Sequence, residues 1–179
     1  QGISLNTPLT FGQANQIIGL LIVIFCMFFK IIPGLGTILN MFFLGAFIDI
    51  LNQTKLFITP KYFIIKLLIL LLGVVFISLG TCLYMRESLG AGPGDGLMVV
   101  FSKKMKVKAG YVRIFIELFA LILGYILGGK VGIGTLVFAL ILGFTLNKVF
   151  YIFQYDPREK HHENIAETIN KIKNITNSV

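Results

Sequence analysis

Charge is scarce in this chain, and acid is scarcest: 13% of its 179 residues are charged, eight acidic against sixteen basic. Soluble domains carry about 25% charged residues, so a chain that is 56% hydrophobic with a mean hydropathy of +0.86 is excluded from that class. It reads as an integral membrane protein. Cysteine and histidine are almost missing as well. Cys26 and Cys82 each stand alone in an apolar segment, away from any His at metal spacing, which argues against a disulfide or a metal site. His161 and His162 are adjacent and would diverge by about 100° on a helix, as a solvated pair does. There is no HExxH, no nucleophile with a neighbouring base and no Gly-Lys-Ser/Thr, so neither an enzyme, an ATP site nor a cofactor is expected. The net charge of +8 does not indicate nucleic acid, because the basic residues lie between apolar stretches, where they set orientation.

The chain repeats itself at a constant offset of 98 residues. Gly34, Gly36, Thr37, Leu44 and Gly45 recur as Gly132, Gly134, Thr135, Leu142 and Gly143. Upstream, Ser4, Gly12, Ile18, Leu20 and Ile24 recur as Ser102, Gly110, Ile116, Leu118 and Ile122. Composition alone would not fix that spacing. Repeats separated by an odd number of spans must lie upside down relative to each other, the plan of many secondary transporters.

At about 20 apolar residues per crossing, five spans are expected: Gln16–Ile32, Leu35–Asn52, Tyr62–Met85, Val112–Leu127 and Ile133–Phe153. The first, second and fourth are short. The fold class is therefore all-α, a polytopic helical membrane protein of two inverted three-helix repeats, with a single transmembrane domain over 1–155. Repeat one covers 1–52 and repeat two 62–153. The second repeat opens with an apolar helix for which the first has no room, so the expectation is six spans in a full-length chain, with the first missing here. No basic stretch followed by an apolar one precedes Gln16, so no signal peptide is expected. Residues 156–179 open on Asp156-Pro157-Arg158-Glu159, a helix start, and place Ile165, Ile169 and Ile172 on one face, as an amphipathic cytoplasmic tail would.

Alternating spans put Lys30, Arg86, Lys103, Lys104, Lys106, Lys108, Arg113, Lys148, Arg158, Lys160, Lys171 and Lys173 on one side, and only Lys55, Lys61, Lys66 and Lys130 on the other. The first side is the cytoplasm, with the C-terminus in it. Inversion also predicts that equivalent loops differ in charge. Lys103, Lys104, Lys106 and Lys108 align with Leu5, Asn6, Pro8 and Thr10, and Arg113 with Asn15.

The run Leu89-Gly90-Ala91-Gly92-Pro93-Gly94-Asp95-Gly96-Leu97, then Ser102, Gly110, Gly129-Lys130-Val131-Gly132-Ile133-Gly134-Thr135 and Leu142-Gly143 resembles the YczE/YyaS/YitT family of bacterial multi-pass membrane proteins. The likeness covers residues 66–150, with an echo in 1–52. Gly94 stands where members commonly carry an aromatic. The resemblance implies about six spans and a bacterial plasma membrane; it implies no substrate.

Three places can carry function. The turn Gly92-Pro93-Gly94-Asp95 must break a helix, since Pro93 lacks an amide proton and the glycines open backbone angles closed to other residues. Asp95 is expected to N-cap a helix running from Gly96 to about Met105, whose amides could face an anion. Glu117 lies in an apolar helix one turn beyond Arg113 and shares its face; an intramembrane carboxylate is costly and so a candidate for function. Asp49 follows Gly45 as Asn147 follows Gly143, so an acid and an amide could face each other across the repeat axis. Asn40 is a further polar group within a span, suited to a helix-helix hydrogen bond. Two readings follow. One is a secondary transporter of a small solute or ion, acting as a homodimer in the lipid bilayer; the other is a membrane scaffold whose tail recruits a cytoplasmic partner.

Overall fold

A computed structural model of the chain describes residues 1–29, 33–54, 60–88 and 90–159. Of the expected amphipathic tail, residues 156–159 are described and form a turn, while 160–179, including His161 and His162, lie outside the described residues. Seven helices and no strand are found among the described residues: α1 (Gly2–Asn6), α2 (Phe11–Phe28), α3 (Leu35–Thr54), α4 (Phe63–Arg86), α5 (Pro93–Met105), α6 (Ala109–Ile126) and α7 (Ile133–Ile152). The fold is all-α. Helices α2, α3, α4, α6 and α7 are each long and apolar enough to cross a membrane.

The ends of these helices have local causes. α2 begins five residues ahead of the expected Gln16, because Thr10 accepts the Gln13 N–H while the Gln13 side chain accepts the Thr10 N–H, a reciprocal capping box. It is 18 residues long, as is α6, and α3 reaches 20, so the three spans read as short are of ordinary length. α7 closes with Gln154 in the left-handed region and the Tyr155 N–H bonded to the Phe150 carbonyl at 2.9 Å. The Tyr155 hydroxyl then donates to the Met85 carbonyl at 3.1 Å, which levels the end of α7 with the end of α4.

The core lies in the second half, where Met85 of α4, Met98 of α5 and Leu142 and Leu146 of α7 are almost wholly buried. Most large apolar side chains instead face outward: Phe28, Ile64, Phe76 and Phe115 are all more than 70% exposed. Such a coat suits hydrocarbon rather than water.

α5 does not run along the surface. Pro93, its first residue, packs against Gly19, the ninth of the 18 residues of α2. Phe101, two turns on, stacks on Phe29 just past the end of α2, at 6.4 Å between ring centroids. The helix therefore starts beside the middle of α2 and follows it to its end. Its N-cap is Gly92, with Pro93 as the first helical residue. The expected capping role for Asp95 is corrected by this: Asp95 is the third residue of the helix, in its first turn, and its carboxylate goes to other partners.

Candidate functional site

Three charged groups, Asp95, Arg113 and Glu117, meet at the start of α5. Arg113 of α6 reaches Asp95 through Nη1 at 2.7 Å and Glu117 through Nη2 at 2.8 Å. The Tyr84 hydroxyl, from the last turn of α4, donates to the second Asp95 oxygen and accepts the Gly92 N–H at 3.1 Å. The side chains of Asp95, Arg113 and Glu117 are only 13–23% exposed. Glu117 is the ninth of the 18 residues of α6, so it lies about 12 Å along the helix from Ala109 at 1.5 Å per residue. Two carboxylates share one guanidinium, and the group carries one net negative charge when all three are ionised. Arg113 Nε is buried without a hydrogen-bond partner.

The first half closes over this group. Thr37 of α3 donates to the Ala91 carbonyl at 2.6 Å and accepts the Gly34 N–H at 3.2 Å. Gly90 has φ +110°, and a Cβ there would come within 2.7 Å of Gly34 Cα and Thr37 Oγ1, so both conformation and space require glycine. A Cβ on Gly92 would stand 3.0 Å from Asn40 Oδ1, and one on Gly94 would stand 3.2 Å from Arg113 Nη1. The glycines of the turn thus let Arg113, Asn40 and Thr37 approach its backbone. A cavity of about 30 Å³, room for one water, sits beside the turn between Cys26, Thr37 and Pro93.

Asp49 and Asn147 go elsewhere. Asp49 accepts the Gly12 N–H at 2.8 Å, and Asn147 accepts the Gly110 N–H, also at 2.8 Å. Each donor is the second residue of its helix, α2 or α6, where backbone N–H groups lack an intrahelical acceptor. Each acceptor therefore caps the neighbouring helix from α3 or α7. Each is held by this cap within its own half, and neither is hydrogen-bonded to the other across the repeat axis. Close approach of the backbones makes the caps reachable: a Cβ on Gly12 would strike the Gly45 carbonyl oxygen and one on Gly110 the Gly143 carbonyl oxygen. Further equivalences at the same offset are Ser4 donating to the Gln1 carbonyl at 2.9 Å and Ser102 to the Val99 carbonyl at 3.0 Å.

The motif glycines divide between two tasks. Gly45 and Gly143 serve the helix crossings. Gly34 and Thr37 are buried beneath the turn, and Gly36 lies in the first turn of α3. Gly132, Gly134 and Thr135 are exposed at the start of α7, where Gly132 is the N-cap. Tyr84 was missed by the sequence reading. Its position near the end of an apolar helix, two residues before Arg86, gave no sign that its hydroxyl meets Asp95. No group of His, Cys, Asp and Glu suited to a metal ion occurs among the described residues.

The chain matches the Family of unknown function (DUF6198) over residues 1–150, and it belongs to that family. It is 38% identical over 141 residues to the Bacillus subtilis "Uncharacterized membrane protein YczE", covering 77% of this chain and 64% of that protein. It is 34% identical over 143 residues to an "Uncharacterized protein" of Haemophilus influenzae, covering 80% of this chain and 65% of the relative. The Bacillus subtilis "Uncharacterized protein YyaS" is 28% identical over 148 residues, 82% of this chain and 74% of the relative. The chain thus spans just under two thirds of the length of the first two. No solved structure matches it.

Proposed function

We propose that this chain, a member of that family of multi-pass membrane proteins, is a small secondary transporter that binds a proton at the Asp95–Arg113–Glu117 group. The observation that carries the reading is Arg113 held between two carboxylates, Glu117 halfway along a membrane helix and Asp95 at the start of a helix that itself begins within the bundle. Net negative charge away from water is costly, and one proton removes it. Helices that begin inside the bilayer are where transporters gather solute and coupling ion. Thr37 and Asn40 of the first half lie against the turn of the second, so relative movement of the halves would alter the surroundings of Arg113.

The same reading takes the halves as inverted repeats. It is supported by the matched caps at Gly12 and Gly110 and by crosswise packing, in which α5 lies against both α2 and α6, as does α1. It takes the Lys103–Lys108 loop and the C-terminus as cytoplasmic, from the basic bias, and the working unit as a homodimer. A cysteine placed at position 61 should label from outside intact cells, and one at 104 should not; labelling at 104 would reverse the orientation.

The deciding experiment is flux. In proteoliposomes of the full chain, a pH gradient should drive uptake of a solute from a metabolite and ion panel. Glu117→Gln should insert and fold but lose the dependence on the gradient. Equal uptake by wild type and Glu117→Gln across the pH range would remove the proton site. A second reading, a membrane scaffold that recruits a cytoplasmic partner, is favoured by one observation: Asp49 and Asn147 do not converge on Glu117 but cap helices. Absence of any flux, with a partner retained by the intact chain, would favour it.

A further inference from the structure

A groove of about 430 Å³ runs along the seam between the halves. Its walls are Leu21 and Phe25 of α2 and Phe115 and Phe119 of α6, with Leu97 and Phe101 of α5 between them. Nothing polar lines it. It does, however, end at a cation. Phe29 stacks on Phe25 at 5.1 Å and on Phe101 at 6.4 Å, continuing the wall, and Lys104 Nζ stands 5.3 Å above the Phe29 ring. Leu97, Phe101 and Lys104 fall at i, i+4 and i+7, so a single face of α5 passes from apolar floor to ammonium. A lysine held over an aromatic ring by cation–π attraction keeps its charge in a fixed place, and Lys103, Lys106 and Lys108 lie in the same segment.

An apolar trough long enough to be walled by three helices, with basic charge only at its end, has the polarity of one acyl chain and its anionic headgroup. Basic pockets between membrane helices take such headgroups by the same electrostatics. We propose that this groove binds an anionic diacyl phospholipid, one acyl chain against Leu97 and Phe101 and the phosphate at Lys104. The site does not depend on transport, since it uses neither Glu117 nor Asp95. Because α2 belongs to one half and α5 and α6 to the other, the bound lipid lies across the seam.

The test uses the full chain, delipidated in detergent, with unfolding followed by a thiol-reactive dye, since Cys26 and Cys82 are both buried. Dioleoyl phosphatidylglycerol should raise the unfolding midpoint, whereas phosphatidylcholine with the same chains should not, and glycerol phosphate alone should not. Lys104→Gln should weaken the phosphatidylglycerol effect about fivefold in concentration, the contribution of one basic residue near an anionic surface; Lys104→Arg should keep it. Ile18→Trp, which fills the groove from α2 and leaves Lys104 intact, should abolish the preference, and it decides the matter if Lys104→Gln does not fold. Equal midpoints with the two lipids would overturn the proposal, as would a full response to glycerol phosphate. So would a preference that survives Ile18→Trp, and if that variant also turns a dimer into a monomer, a second copy is the occupant.

Discussion

Arg113 Nη1 lies 2.7 Å from Asp95 Oδ1, and this ion pair fastens the first turn of α5 to α6. Glu117 completes the group from one turn further along α6. Removing the shared cation should therefore be worse than removing all the charge. Arg113→Gln leaves two largely buried carboxylates facing each other and should cost about 3 kcal/mol, the lower end for an orphaned buried charge. Asp95→Asn, Arg113→Gln and Glu117→Gln together should recover most of that loss, because neutral replacements of buried ion pairs are often tolerated. Thermal unfolding of the two variants in detergent decides it. An Arg113→Gln protein as stable as wild type would mean that water already compensates these charges.

Outside the membrane helices, Asp156 accepts the Arg158 backbone N–H at 2.9 Å and the Arg158 Nε at 2.9 Å. These bonds hold the Asp156 carboxyl below its ordinary value of 3.8. A depressed carboxylate contributes stability that is fully present above the unfolded value and is lost as pH falls through the folded one. The side chains are about a third exposed, so the contribution should stay within about 1 kcal/mol. Asp156→Asn should be slightly less stable than wild type at pH 6 and approach it as the pH falls well below 3.8. A difference that grows as the pH falls would contradict the sign.

The spans were readable because apolar runs and their glycine boundaries are local properties. The crossings at Gly45 and Gly143 were foreshadowed by the repeat, since glycines kept at fixed spacing mark places where backbones touch. Asp95 was found as part of a helix break, yet its role was misassigned. Sequence shows that Gly92-Pro93-Gly94 stops a helix but not on which residue the next one starts, and a one-turn difference exchanges a cap for an ion pair. Tyr84 and Thr37 join the site through folding alone: each lies in a different helix from Asp95, and nothing in their neighbours' chemistry signals the meeting. The start of α2 was placed too late because Thr10 and Gln13, both polar, hide a helical turn that the capping box creates.

The glycines should differ sharply in what they tolerate. A Cβ on Gly12 or Gly110 would lie far inside contact with the facing carbonyl oxygen, and within 2.6 Å of Asp49 Cγ or Asn147 Cγ. Backbone cannot step aside as a flexible side chain can, so Gly12→Ala and Gly110→Ala should each separate two helices, at a cost of about 1–3 kcal/mol or more for overpacking. Gly73 and Gly80 of α4 have nothing within 4 Å of a built Cβ. There, Gly→Ala should be neutral or stabilising by up to about 1 kcal/mol, the helix-propensity difference. Unfolding midpoints of the four variants test this, and a Gly110→Ala protein indistinguishable from Gly80→Ala would refute the close crossing.

The acid and the amide at equivalent positions give the sharpest contrast, because each half already contains the other's solution. Asp49 accepts from Gly12 through Oδ1 and from the Thr10 hydroxyl through Oδ2; Asn147 accepts from Gly110 through Oδ1, with Lys108 at the place of Thr10. In Asp49→Asn the carbonyl oxygen can keep the Gly12 N–H, and the new NH₂ can donate to the Thr10 oxygen, which has a second lone pair beyond the one taken by the Gln13 N–H. What is lost is only the attraction of a carboxylate to a helix N-terminus, about 0.3–1 kcal/mol. Asp49→Leu removes the acceptor and leaves the Gly12 N–H unpaired, which should cost about 1–3 kcal/mol. Asn147→Asp should gain the dipole attraction that Asp49→Asn loses. The order of unfolding midpoints should then be Asn147→Asp at or above wild type, Asp49→Asn slightly below it, and Asp49→Leu well below. If Asp49→Asn unfolds with Asp49→Leu, the charge of Asp49 rather than its hydrogen bond is what α2 requires, and the two caps are not equivalent.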